Sequence, residues 1–421
     1  MNSAFSKKEK KVVELSFFIV FLNMVIESVL QFFNDRTLII LTQFSINIIF
    51  FAYLSVISFN LRFNRKFYPA FLLILLLLLF SLASSDIIVT LNMLLKFSIP
   101  YFFLLIGYSF NSLYFLDFFL KRCWILMAYF CLYITYVNLF DVGLEMYSGG
   151  MKIGYYSVNG LYVPIFALLM ALFLNNFIKN KSLFATTSFF SILTAVITFA
   201  MLKRTLILLL LFGIIMFLAQ KFSLKRLASS IFFLTISFIV FRFFTYDRFM
   251  DTFQSRESRF SSEYSILNEG RITENVYVFS ALGESSLKLF LGSGEVFNDR
   301  KYISYTYYEE EREIHNSYVR MLWNAGIFGL SIFLLFYWIQ LKTFFSTFKR
   351  LNEYYPFYKK LFFFGLCLVS LRILNDFSSG ITYLGFNIFS FLIIGNLFRI
   401  DETLTAKSKL NSLKRTFTPS I

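Results

Sequence analysis

The sequence predicts an all-α polytopic membrane protein with about twelve transmembrane helices, and three observations predict it. Hydrophobic residues make up 57% of the chain and charged residues only 15%, whereas a soluble domain carries about 25% charge. Apolar runs of about 18 residues or more recur along it, each long enough to cross the hydrocarbon core. Those runs are solid blocks, not the short alternating segments of a barrel. The mean hydropathy of +0.66 agrees.

Spans are predicted at 12–33, 37–59, 68–84, 87–110, 123–140, 160–178, 182–202, 205–220, 228–245, 317–340, 361–378 and 381–398. The first follows "SKKEKK" and superficially resembles a signal peptide. It carries Asn23 and Glu27 and lacks a small-x-small cleavage site, so it reads as an uncleaved span. Lys96 and Arg242 fall inside spans and are read as bundle-facing or snorkelling. Cys123, Cys131 and Cys367 all lie in apolar runs, an odd buried set that argues for core packing and against disulfides or a metal cluster.

Net charge is +15. In a membrane protein that excess marks the cytoplasmic side and implies no nucleic-acid partner. With the N-terminus inside, most basic residues fall on one side. They are Lys7, Lys8, Lys10 and Lys11; Arg62, Arg65 and Lys66; Lys121 and Arg122; Lys179 and Lys181; Lys221, Lys225 and Arg226; the 341–360 loop; and the 399–421 tail. The short external turns hold only Arg36, Lys152, Lys203 and Arg204. Both termini are therefore expected to be cytoplasmic. Joining 182–220 into one span would invert everything after it, so two spans and a tight external turn at Lys203-Arg204 are required.

Four parts follow: an N-terminal bundle of about nine spans over 1–245, a large external loop over 246–316, C-terminal spans over 317–398, and the cytoplasmic basic tail 399–421. External loops of that length without a role are uncommon. In the loop, Ile272, Val276 and Phe279 recur at i, i+4 and i+7, which predicts an amphipathic helix lying against the membrane surface or a cavity mouth. Gly292 and Gly294 flank Ser293, a turn with room for close backbone approach. Tyr302, Tyr305, Tyr307 and Tyr308 suit sugar stacking or the membrane interface. An acidic run, Glu309, Glu310, Glu311 and Glu313, precedes His315, the only histidine in the chain, two residues before the next span.

Several of these elements together resemble a known family. "GRITENVYVFSAL", "LFLGSGEVF" and "HNSYVRMLWNAGIFGL" resemble the signature region of the bacterial O-antigen polymerase and O-antigen ligase superfamily. The resemblance rests on Gly270-Arg271, on Gly292, Gly294 and Phe297, on His315-Asn316, and on Gly326 and Gly329. The turn "LKRTLILLLL" is similar to the family's upstream external arginine, at Arg204. The resemblance implies an integral-membrane (GT-C-like) glycosyltransferase fold in the bacterial inner membrane, with its active site facing the periplasm. The implied donor is a glycan on undecaprenyl diphosphate. The acceptor is another lipid-linked repeat unit in polymerases, or lipid A-core in ligases. It also implies a chain-length regulator as a partner.

The residue chemistry agrees with those roles. Arginine binds phosphate oxygens through a planar fork and never loses its proton. Arg204 and Arg271 are therefore the candidates for holding the diphosphate as negative charge develops on it. The acceptor hydroxyl needs a base, and an imidazole can take that proton at neutral pH; His315 is the candidate. Lys203, Asn316, Gly292, Gly294, Arg372 and Asp376 are supporting candidates. Arg372 and Asp376, at i and i+4, are expected chiefly to pair, offsetting a cost of roughly 2.5–3.5 kcal/mol for charge at a span centre. The chain has no D-x-D, and one histidine cannot build a typical metal site. The glutamates of "EEERE" read as a solvated acidic face or a salt bridge to Arg312, so no metal or other cofactor is expected. A transporter or flippase would instead show functional charges near the midplane and repeated halves.

Overall fold

The computed structural model describes residues 7–29, 36–58, 63–109, 113–145, 152–154, 161–201, 203–220, 235, 270–298, 314–351, 356–377 and 384–417. Helices dominate: α1 (Lys7–Val29), α2 (Arg36–Ser58), α3 (Tyr68–Ser81), α4 (Ile87–Ser109), α5 (Leu113–Leu139), α6 (Tyr162–Leu174), α7 (Lys181–Ala200), α8 (Arg204–Ala219), α9 (Gly270–Gly283), α10 (Ser286–Leu291), α11 (Ser317–Arg350), α12 (Pro356–Asp376) and α13 (Leu384–Phe417). Between α5 and α6 sits a short antiparallel hairpin of β1 (Leu144–Glu145) and β2 (Lys152–Gly154).

Every predicted span falls on one of these helices except the ninth, 228–245, which apart from residue 235 lies outside the described residues, as does Arg242. Among the described residues, four helices are long and apolar enough to cross a membrane: Ile87–Ser109, Lys181–Ala200, Ser317–Arg350 and Leu384–Ala406. Two predicted ends move outward. The span drawn at 317–340 continues to Arg350, and the one ending at 398 continues to Phe417. The basic tail thus begins inside a helix. Asp401, near the start of that extension, takes hydrogen bonds from Lys66, Thr347 and Arg350, which ties the extension to the C-terminal end of α11 and the segment before α3.

The core runs through α6 and the first half of α13, whose side chains are buried almost throughout. At 13 residues α6 is about 20 Å long, short of the roughly 30 Å hydrocarbon core, and other helices enclose it. α4 and α13 cross with their backbones in contact. A Cβ on Gly107 would strike the Leu392 carbonyl, and one on Gly395 would stand 2.8 Å from the Tyr108 nitrogen. Between membrane helices no hydrophobic gradient drives association, so small residues that allow close approach do that work. Polar side chains add links. Asn23 on α1 and Asn47 on α2 exchange two amide hydrogen bonds of 2.9 Å.

α11 is not straight. At Ala325 (φ −145°, ψ 15°) and Gly326 (φ 63°, ψ −165°) the backbone leaves helical geometry, so two helical pieces join across a kink. The glycine of the G-x-x-G pair is what permits it, because that conformation is nearly exclusive to glycine.

Candidate functional site

The segment after α10 docks onto the kink in α11. The Ser293 N–H donates to the Trp323 carbonyl at 2.8 Å, an acceptor that the interrupted helix leaves available. The Phe297 N–H donates to Asn324 Oδ1 at 2.8 Å, and the Trp323 indole N–H to the Glu295 carbonyl at 3.2 Å. A Cβ on Gly292 (φ 96°) would stand 2.7 Å from the Ala325 nitrogen. Gly294 (φ 84°) turns the chain with open space around it. The G-x-G element and the G-x-x-G element are therefore two sides of one backbone crossing. Glu295 anchors the same loop to the α3–α4 turn, accepting hydrogen bonds from Ser85 N–H at 3.0 Å, Ser85 Oγ at 3.1 Å and Ser84 Oγ at 3.2 Å.

The amphipathic helix exists as α9, with the predicted apolar stripe turned outward. Of that stripe, Val276 and Phe279 are 58% and 55% exposed, and the side chain of Ile272 lies outside the described residues. The buried face is Glu274, Val278 and Leu282. Val278 and Leu282 pack with Ile314, Val319, Leu322 and Trp323. In a lipid setting an apolar stripe can face outward and leave the inward face to make specific contacts.

That packing brings Glu274 onto His315. The imidazole Nδ1 lies 3.1 Å from Glu274 Oε1 and 3.3 Å from Oε2, and the His315 backbone N–H donates to Oε2 at 3.3 Å. The Glu274 side chain is 1% exposed, whereas that of His315 is 41% exposed. A buried carboxylate thus grips a ring that still reaches the surface. Asn316 serves as the N-cap of α11, its Oδ1 accepting from the Tyr318 N–H at 3.0 Å and the Val319 N–H at 3.4 Å. Its cap satisfies donors that a helix start otherwise leaves unpaired.

Lys203 is the N-cap residue of α8, and its ammonium lies 4.8 Å from the centre of the Tyr162 ring. Arg204 opens α8 and Arg271 stands in the first turn of α9; the side chains of both lie outside the described residues, as do the four candidate tyrosines and the acidic run 309–313. Arg372 and Asp376 lie within electrostatic reach of one another, but each hydrogen-bonds to a different helix. Asp376 accepts a short hydrogen bond from the Tyr337 hydroxyl on α11, and Arg372 donates one to Ser390 on α13 while its guanidinium lies 3.9 Å from the Phe391 ring centre. Helical i, i+4 spacing sets proximity, but neighbouring helices offer both groups better-aimed partners. The two line a small cavity, about the size of one water molecule, with Tyr101, Tyr337, Asn387 and Phe391. From Arg372 a chain of ring contacts leads through Phe386 to Tyr162 and so to Lys203. Tyr318, three residues after His315, donates to the Ile373 carbonyl at 2.8 Å. The Lys203 turn and the end of α12 are therefore linked, and the start of α11 joins them.

Glu274 and Arg320 were not singled out by the sequence. Arg320 is 1% exposed, one turn into α11, with its guanidinium 5.7 Å from the Phe297 ring centre. Its only sequence signal is a charge inside an apolar span. That of Glu274 is a carboxylate within the GRITENVYVFSAL segment of the loop.

Fold and site define an integral membrane protein of helical construction, with a polar site built where an inserted loop docks on a kinked helix. Residues 189–334 match the family described as O-antigen ligase. That stretch runs from within α7 to within α11 and contains the Lys203-Arg204 turn, α9, α10 and His315. The resemblance to the O-antigen polymerase and ligase superfamily, whose members are glycosyltransferase-like enzymes, is supported by this match. No curated protein matches the chain.

Proposed function

We propose that the protein polymerises lipid-linked oligosaccharide repeat units of a surface polysaccharide, by metal-independent glycosyl transfer from an undecaprenyl-diphosphate-linked glycan at the outer face of the bacterial inner membrane. In this reading twelve spans of a GT-C-like bundle carry both termini on the cytoplasmic side, and the 246–316 loop faces the periplasm. The observation that carries it is the half-exposed imidazole of His315, held by a buried carboxylate inside the family-matched stretch.

The chemistry is one displacement. His315 takes the proton of an acceptor sugar hydroxyl as its oxygen attacks the anomeric carbon of the donor. The bond from that carbon to the diphosphate oxygen breaks, the configuration inverts, and undecaprenyl diphosphate leaves with the electron pair. Arg204 and Arg271 hold the diphosphate and stabilise its growing charge. The proton on His315 then passes to solvent.

The family description itself favours a second reading, a ligase that transfers finished glycan to lipid A-core. Donor and base are shared, and only the acceptor differs. Purified protein is expected to elongate synthetic undecaprenyl-diphosphate repeat units without added divalent cation. His315→Ala stops turnover in folded protein, and Arg204→Ala or Arg271→Ala raises KM for the donor. Wild-type elongation by His315→Ala sinks the reading. Transfer only to lipid A-core selects the ligase.

A further inference from the structure

The contact between α9 and the start of α11 carries one consequence for how the base works. We infer that Glu274 is a positioning residue for His315, selecting the ring tautomer that carries its proton on Nδ1 and making Nε2 the atom that accepts the substrate proton. The role in turnover rests on the glycosyl-transfer reading above; the tautomer does not.

An ionised carboxylate only accepts hydrogen bonds. Both Glu274 oxygens lie within 3.3 Å of His315 Nδ1, so that nitrogen is the donor. A neutral imidazole has one donor and one acceptor nitrogen, which assigns the lone pair to Nε2. The backbone N–H of His315 donates to the same carboxylate at 3.3 Å, fixing the main chain along with the ring. The side chain of Glu274 is 1% exposed, and Val278 and Leu282 of its own helix pack on Val319, Leu322 and Trp323 of α11. The carboxylate therefore rides on a packed helix pair, not on a free loop. A base held this way keeps its tautomer and aim, which a solvated imidazole does not, since free histidine ordinarily favours the proton on Nε2. The pairing of an orienting carboxylate with a catalytic imidazole follows a general logic of base catalysis.

The test uses the full-length protein in lipid nanodiscs, labelled with ¹⁵N on the histidine ring. A single histidine gives a single imidazole to read. Above the pH range in which the ring is protonated, wild type is expected to show a protonated Nδ1 and a bare Nε2. In Glu274→Ala the ring shifts toward the Nε2–H form. Glu274→Gln keeps one oxygen for Nδ1 and so retains more of the wild-type tautomer. In elongation assays Glu274→Ala loses kcat by about 10–100-fold with KM for the donor unchanged, and Glu274→Gln recovers part of it. A wild-type ring protonated on Nε2 overturns the assignment whatever the activity. Full kcat in Glu274→Ala overturns the positioning role even if the tautomer is as stated. If wild type shows the Nδ1–H ring but transfers no glycan to either acceptor, the tautomer assignment stands and the glycosyl-transfer reading falls.

Discussion

The main chain of Phe290 lies on Gly326: a Cβ on that glycine would overlap the Phe290 carbonyl, and the glycine itself sits at φ 63°, ψ −165°. Gly326→Ala therefore meets both a steric block and a backbone region costing of order 1–3 kcal/mol for any side chain. It is expected to lower the unfolding midpoint in detergent more than Gly292→Ala, where the neighbour is the Ala325 nitrogen at 2.7 Å. Gly294→Ala, strained at φ 84° but with open space, should lose least. Thermal unfolding of the three variants checks the order. Equal melting of Gly326→Ala and wild type would mean the two segments do not cross there.

That crossing shows what the sequence could and could not reveal. Apolar blocks located the helices well, because block length against bilayer thickness is a strong signal. The G-x-G and G-x-x-G elements were visible as glycines, but their partnership was not, since nothing local ties Gly292 to Ala325 across the intervening chain. The exposure of Val276 and Phe279 agrees with an apolar stripe turned to the membrane surface. Glu274 stayed hidden because its partner, His315, lies 41 residues further along the chain. His315 stands out in the sequence as its single histidine, and Lys203-Arg204 as a basic pair between two apolar blocks.

The Tyr337 hydroxyl donates a hydrogen bond to Asp376, a carboxylate only 3% exposed on α12. Tyr337→Phe keeps the ring and removes the donor, leaving a buried acceptor short of its partner at a cost of about 1–3 kcal/mol. Asp376→Asn should be milder, because an amide is cheaper to bury than a charge. Introducing Asp376→Asn into Tyr337→Phe should recover stability, with a coupling of about 0.5–3 kcal/mol. Strictly additive losses in denaturation of the two single variants and the double variant would rule out a direct pair.

Asp401 on α13 joins the segment before α3 and the end of α11 through Lys66 at 3.0 Å, Arg350 at 3.1 Å and the Thr347 hydroxyl. Lys66 and Arg350 are 37% and 44% exposed, so water can replace their contacts. Thr347 is 1% exposed and has no such recourse. Asp401→Ala is thus expected to destabilise by about 1–3 kcal/mol, mostly through the stranded hydroxyl. Adding Thr347→Val should restore part of it. Raising salt should change the Asp401→Ala loss little; a loss that vanishes at high salt would put the surface cations, not the hydroxyl, at the centre.

The proposed sidedness can be read with thiols. Cys123, Cys131 and Cys367 are buried, so the native chain should react slowly with a bulky maleimide in the folded state. Glu284, just before α10, and Lys349, at the far end of α11, are both exposed. Glu284→Cys should be labelled by a membrane-impermeant maleimide in intact spheroplasts. Lys349→Cys should react only after permeabilisation. The direction of α11 makes the two results interdependent: its N-terminal end carries His315, and its last turn holds Lys349 and Arg350. Labelling of Lys349→Cys from outside would turn the bundle over, moving His315 away from the compartment where a periplasmic glycan is joined. Labelling of both before permeabilisation would instead deny that α11 crosses the bilayer at all.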